Sequence, residues 1–301
     1  MIYIKSIVKN KLNETIGYDI IDKSTNREYK NVNINELKNA KFENAQFING
    51  KYPYIRGNSK LQIRIEDATI TVYHGSCNII KEPKYMGGKS NNDYGNGFYT
   101  TMYAERADEW ALLMNRTNKA EAYNNKYEIN LDGLNILDLD EYGPLAWIAE
   151  VIKNRGTGYG VVYPELFIKK YSIDTSAADI IVGYRADDSY FRIIEAFING
   201  TITMEEVVGF FYKAKLGKQV FLKSRKAFDA RHLKFISASK VPSNKMQYAI
   251  NNDSLARKTV NDIINKRIND MYAGYKPTGL MFMDAVQHNY KYNKKDGKYY
   301  E

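Results

Sequence analysis

An apolar strand segment closes on Tyr73-His74-Gly75-Ser76, and after a glycine-rich stretch the chain resumes as Asp93-Tyr94-Gly95-Asn96-Gly97-Phe98-Tyr99-Thr100-Thr101. This pair of segments constrains the fold more than any other feature. A strand that ends in His74-Gly75 sets an imidazole beside a backbone that a ligand can approach closely, because glycine has no Cβ. Such a donor suits a carboxamide or a sugar hydroxyl. The second strand, opened by Gly95 and Gly97, sends Phe98 and Tyr99 to opposite faces, one ring into the core and the other over a cleft. A flat cationic ring stacks well on such a tyrosine. Either half alone also fits a structural histidine or a plain turn. Together, in this order and spacing, they define a candidate cleft between two strands.

With 301 residues and 44% hydrophobic content, the chain has material for one substantial core and a smaller accessory unit. The single cysteine, Cys77, rules out an internal disulfide and a multi-cysteine zinc site and fits a reducing compartment. No apolar run is long enough to span a membrane, and Met1-Ile2-Tyr3-Ile4-Lys5 lacks the apolar core of a signal peptide. The expectation is a cytoplasmic protein with no membrane partner and no metal.

Charge is unevenly spread. Residues 1–67 carry a net +4, residues 68–220 a net −4 and residues 221–301 a net +9. The basic excess lies outside the segment with the candidate cleft. It fits either a polyanionic or acidic partner or a solvated face that keeps the protein soluble.

Three regions are expected. Residues 1–67 read as a β-rich accessory module, with a strand at Tyr18–Asp22, a turn at Lys23–Asn26 and a returning strand from Arg27 to Ile34. Leu61, Ile63 and Ile65 alternate as in a half-buried strand. In residues 68–237, strands are expected at 69–73, 98–101, 218–223 and 233–237, and at 126–132 and 134–139 as two strands or a strand and its continuation. Helices are expected at 104–114, 145–153, 165–171, 188–197 and 204–213. The absence of regular βα alternation and of a Gly-x-Gly-x-x-Gly fingerprint argues against a Rossmann domain. Residues 238–301 read as a linker over 238–247, then a basic helical extension with an apolar stripe of Leu255, Ile263, Ile264, Ile268 and Met271. Its cations, with the Tyr- and Lys-rich end from Tyr290 to Tyr300, are candidates for a phosphate-contacting surface. Trp110 and Trp147 are expected in the core.

The motifs resemble those of ADP-ribosyltransferases related to diphtheria toxin and the poly(ADP-ribose) polymerases, which carry a His-Tyr-Glu signature on three strands of a split β-sandwich. The chain is similar, more narrowly, to a bacterial branch with Tyr-His-Gly-Ser, Gly-x-Gly-Phe-Tyr-x-Thr, Ala-Asp-Asp and Gln-Val motifs, here Tyr73–Ser76, Asp93–Thr101, Ala186-Asp187-Asp188 and Gln219-Val220. The resemblance covers roughly residues 68–237. It implies an α+β fold with an ADP-ribosyltransferase-like split-sandwich core and helical insertions, and it implies NAD as co-substrate. His74 would contact ribose, Gly75 the carboxamide, and Tyr99 would stack on nicotinamide. Ser76, Asp93, Tyr94, Gly97, Phe98 and Thr100 are further candidates for the NAD site, Asp93 also as a turn-shaping residue.

Where the better-known pattern has a catalytic glutamate, this chain has Gln219. A glutamine hydrogen-bonds a ribose hydroxyl but carries no charge to stabilise a cationic transition state. Asp187 and Asp188 are the nearest replacements, although either also fits the N-terminal cap of a following helix. The function implied is mono-ADP-ribosyl transfer to a protein or nucleic-acid acceptor, in a bacterial toxin or phage-defence effector with an antitoxin or inhibitor as a further partner. An NAD glycohydrolase and an inactive nucleic-acid or partner-binding module are the alternatives. Cys77, three residues from His74, makes a weak case for a thiol nucleophile. His232 and His288 show no metal-ligand pattern.

Overall fold

The computed structural model describes residues 2–9, 12, 15–22, 26–32, 62–65, 69–115, 121–156, 164–186, 188–214, 218–294 and 296–301. The fold is α+β and divides into two compact units, Met1–Thr69 and Ile70–Glu301.

The first unit holds a sheet of β1 (Ile2–Lys9), β2 (Thr15–Asp22), β3 (Arg27–Val32) and β4 (Gln62–Ile65), in the order β3-β2-β1-β4. β1, β2 and β3 run antiparallel, and β4 lies parallel to β1. Val8, Ile20 and Val32 are buried, and the Ser6 hydroxyl donates to Asp19 at 2.6 Å. Ser24, Ile34 and Leu61 of the expected pattern lie outside the described residues.

The second unit is built on a seven-stranded mixed sheet in the order β11-β7-β5-β6-β10-β9-β8. Its strands are β5 (Thr69–Ser76), β6 (Phe98–Thr101), β7 (Tyr123–Asn130), β8 (Ile136–Asp138), β9 (Ile180–Tyr184), β10 (Lys218–Leu222) and β11 (Leu233–Lys240). Ile180, Ile181, Val182 and Gly183 of β9 are all buried, so the strand reads as a continuous apolar run rather than as an alternation. Its neighbours differ in direction: β8 is parallel to it and β10 antiparallel. Among the described residues, β5 and β6 meet at a single residue pair, Tyr73 with Thr101. The sheet therefore parts into β11-β7-β5 and β6-β10-β9-β8 just beyond that pair.

Helices α1 (Ala104–Met114), α2 (Pro144–Arg155), α3 (Pro164–Tyr171), α4 (Asp188–Ile198), α5 (Met204–Ala214), α6 (Met246–Tyr272) and α7 (Phe282–Gln287) complete this unit. Trp147 and Ile148 of α2, Phe167 of α3, Phe197 of α4 and Phe210 of α5 join Ile181 and Phe221 of the sheet in one core. Phe282 of α7 stands 5.0 Å from the Phe167 ring and 5.7 Å from Phe197, so the end of the chain belongs to the same core.

Three expectations need correction here. Ala238–Lys240 are not linker: they extend β11 along β7. β11 is an edge strand with mostly exposed side chains, so polar residues suit it, and Pro242 follows its end. The stripe of α6 is also different. Leu255 is 64% exposed, and Ile268 and Met271 are exposed as well. Ile263 and Ile264 of the stripe do pack against the core, joined by Ala249, Ala256 and Val260, because alanine lets α6 lie close against α1 and α4. Arg267, one of the cations of this helix offered as a phosphate-contacting surface, instead pairs with Glu206 at 2.5 Å.

The tyrosine-rich end forms a hairpin of β12 (Lys291–Asn293) and β13 (Lys298–Tyr300). Its role is partly structural. The Tyr299 hydroxyl accepts the Leu145 N–H at 2.7 Å, satisfying a donor in the first turn of α2 that has no partner within the helix. Gly143, at φ +84°, precedes Pro144 because a Cβ there would lie 2.5 Å from the Tyr292 ring. Tyr299→Phe is expected to lower stability by about 1–2 kcal/mol by leaving that buried N–H without an acceptor. A denaturant titration checks it, and an unchanged midpoint contradicts the capping role.

Candidate functional site

The parting of β5 from β6 opens a cavity of about 520 Å³. His74 spans the opening: its Nδ1–H donates to the Tyr99 carbonyl at 2.7 Å, where a backbone ladder bond would otherwise close the strands. Because a carbonyl only accepts, this contact fixes the tautomer and leaves Nε2 as an acceptor on a residue that lines the cavity. Burial lowers the His74 pKa below 6.5, with the hydrogen bond to Tyr99 opposing the shift, so the ring is neutral at pH 7. Asn125 of β7, fully buried, secures the end of β5 by donating to the carbonyls of His74 at 3.3 Å and Asn78 at 3.0 Å.

Tyr99 lines the cavity and packs its ring 4.6 Å from Phe221. Its hydroxyl donates to the Gly95 carbonyl at 2.8 Å and accepts the Tyr94 N–H at 2.9 Å. Burial raises its pKa far above the ordinary phenol range, so it stays protonated. Its polar end is thus committed to the Gly95 turn, which leaves the ring as its contribution to a ligand. Phe98 faces the other way, 4.5 Å from the His74 ring and edge-on to Tyr127 at 5.4 Å. The buried Thr100 hydroxyl donates to the Val220 carbonyl at 2.7 Å and ties β6 to β10.

Asp93 does more than shape a turn. Buried to 5% exposure, it accepts from Arg155 at 2.9 Å, from the Ala186 N–H at 2.8 Å and from Gln219 Nε2 at 3.2 Å. Gln219 is itself buried, and its Oε1 has no hydrogen-bond partner among the described residues.

The glycines work differently from the sequence expectation. A Cβ on Gly75 would lie 2.0 Å from the Ala107 carbonyl, so the missing side chain admits helix α1 rather than a ligand. One on Gly97 would lie 2.4 Å from the Leu222 carbonyl, so that glycine serves the β6–β10 contact.

His74, Gly75, Asp93, Gly97, Phe98, Tyr99, Thr100 and Gln219 therefore share one cavity wall. Two candidates stand off it. Tyr94 lies behind the wall, where its hydroxyl accepts Trp147 Nε1–H at 2.9 Å and donates to the Tyr184 carbonyl at 2.5 Å. Ser76 accepts the Asn78 N–H at 3.2 Å and is not part of the wall. Asp187 lies outside the described residues. Asp188 opens α4, and its side chain lies outside them too.

The wall also holds residues that the sequence did not single out. Lys84, Arg106, Arg155, Arg185 and Lys218 outnumber the two carboxylates, Glu82 and Asp93, which favours an anionic ligand. Burial works against the Lys218 ammonium, but Asp140 at 2.8 Å and Asp138 at 3.1 Å outweigh it and hold its pKa above the ordinary range. Trp110, expected in the core, is 38% exposed on this wall, with the Arg185 guanidinium 5.9 Å from its ring. Helical spacing groups Trp110 with Ala107 and Ala111, yet α1 buries those alanines and Leu112, with Ala107 against Gly75, and leaves Trp110 outside. Lys218 and Arg185 adjoin motifs already noted, Gln219-Val220 and Ala186-Asp187-Asp188, which was the one signal available for them.

An α+β unit whose sheet parts over a cation-lined aromatic cavity is the class that the fold and site define. The chain belongs to the family described as Protein of unknown function (DUF3990), whose model matches residues 70–235, the segment that carries most of this sheet and cavity. No curated protein and no solved structure matches the chain. Among the described residues no helix is long and apolar enough to cross a membrane.

The neutral His74 makes a direct prediction. Its imidazole should titrate by NMR with a midpoint below 6.5 and in the Nδ1–H tautomer. Since its folded pKa is depressed, protonation favours the unfolded chain, and its contribution to stability is lost as pH falls below about 6.5 and constant above it. A midpoint at or above 6.5 contradicts this.

Proposed function

We propose that this chain is a mono-ADP-ribosyltransferase that uses NAD, with the parted sheet as an ADP-ribosyltransferase-like split β-sandwich core. The observation that carries the reading is the convergence of His74, Tyr99 and Gln219, from three strands, on one cavity with a cationic wall. A dinucleotide asks for what this wall offers: an aromatic ring for nicotinamide, acceptors for ribose hydroxyls and cations for the diphosphate. The buried Gln219 Oε1, without a partner among the described residues, is the specific fit, an acceptor that a ligand donor would satisfy.

Bound NAD would supply an activated N-glycosidic bond. That bond breaks with its electron pair leaving on the nicotinamide nitrogen, and the acceptor nucleophile bonds to C1′ and gives up its proton to solvent. The residues of the chain hold and orient. Tyr99 presents a ring whose hydroxyl is fixed by Gly95 and Tyr94, His74 presents a neutral nitrogen, and Gln219 an oxygen. Geometry held in advance is the main contribution such a site makes to rate. In this reading Asp187 or Asp188 supplies further negative charge. A bacterial toxin or phage-defence effector working in the cytoplasm, with a protein or nucleic-acid acceptor and an antitoxin or inhibitor protein, is the setting proposed with it.

Purified protein incubated with adenylate-labelled NAD and whole-cell lysate is expected to label a macromolecular fraction. The His74→Ala/Tyr99→Ala variant should reduce that label by at least about a hundredfold. Nicotinamide release without label on a macromolecule identifies a hydrolase instead. No release at all overturns the enzyme reading.

A further inference from the structure

Gln219 stands where a carboxylate is wanted, and the structure holds a carboxylate one side chain behind it. We propose that Asp93 is the positioning residue for Gln219, an inference that rests on the function proposed above. Asp93 fixes the amide so that Oε1 is the atom turned to a ribose hydroxyl in the cavity.

A carboxylate only accepts, so the Gln219 atom 3.2 Å from Asp93 Oδ2 is the amide nitrogen, and the oxygen must point elsewhere. That oxygen is buried, has no partner among the described residues, and belongs to a side chain of the cavity wall. A buried acceptor left without a donor is costly, and a ligand hydroxyl removes the cost. Asp93 cannot turn away to release the amide. Arg155 holds one carboxylate oxygen at 2.9 Å, and the Ala186 N–H shares the other at 2.8 Å.

The arrangement also supplies part of what glutamine lacks. A hydrogen bond from Nε2 to a carboxylate polarises the amide and adds negative charge to Oε1, in a site shielded from water. The acid of the better-known signature is thus moved back by one side chain, and its effect is relayed through an oriented amide.

A double-mutant cycle tests the relay. Asp93→Asn, Gln219→Leu and their combination are compared for nicotinamide release and for NAD affinity, the latter read by quenching of tryptophan fluorescence at Trp110. Each single variant is expected to lose at least about tenfold in kcat with a smaller change in KM. The double variant should fall no further than Gln219→Leu, because Asp93 acts through Gln219. If Asp93→Asn costs the same factor in both backgrounds, Asp93 is merely structural and the inference fails while the enzyme reading survives. If the wild type neither binds nor cleaves NAD, both fail.

Should Asp93→Asn not fold, Gln219→Glu decides. Two carboxyls about 3 Å apart share a proton, and the protonated glutamic acid of that variant donates to Asp93 and presents a carbonyl as glutamine does. Its activity should persist in acid and fall as pH rises through the raised shared pKa, and a profile parallel to the wild type overturns the proposal.

Discussion

Asp93 ties together the loop before β6, the C-terminal turn of α2 through Arg155, the backbone after β9 through Ala186, and β10 through Gln219. A buried carboxylate is costly unless its oxygens are met by donors, and here three donors from three elements meet them. The same bonds fix this part of the cavity lining. Remove the carboxylate and an arginine, a backbone N–H and a glutamine amide lose their acceptor together. The strand positions themselves are set by the apolar core, but the chemistry of the cavity rests on this one group.

At β5, the opening depends on what is absent. Gly75 lets α1 settle against β5, and beyond Tyr73 the strand no longer pairs with β6. His74 then takes over the carbonyl of Tyr99 that the ladder leaves behind. The result is a cleft that is both open and internally satisfied, lined by groups whose own hydrogen bonds are committed: Tyr99 to the Gly95 turn, Lys218 to Asp138 and Asp140. The Gln219 oxygen, by contrast, has no partner among the described residues, which is a reason to read the cavity as a binding site.

Local features were legible in the sequence. Period-2 and period-3.6 patterns located β6, β10, α1 and α4 closely, and the histidine, tyrosine and glutamine on one cavity were visible as motif residues. The α+β class followed from the mixed order of those elements. What was hidden is long-range pairing. Asp93 meets Arg155, Ala186 and Gln219 across 62, 93 and 126 residues, and no local pattern encodes such contacts. Trp110 was misplaced because helical spacing cannot tell a core face from a cavity face when small alanines do the packing. Leu255 and Met271 failed for a related reason, since alanines let α6 approach the core along a line that hydrophobicity alone underweights.

The central claim is that the parted sheet holds a dinucleotide against Tyr99 with the Gln219 oxygen as acceptor. A crystal structure with a non-cleavable NAD analogue tests it most directly. The account predicts the nicotinamide ring against Tyr99, the diphosphate among Arg106, Arg185 and Lys84, and a ribose hydroxyl within hydrogen-bond distance of Gln219 Oε1. An analogue bound elsewhere, or seated in the cavity with the Gln219 oxygen turned from it, would contradict the account.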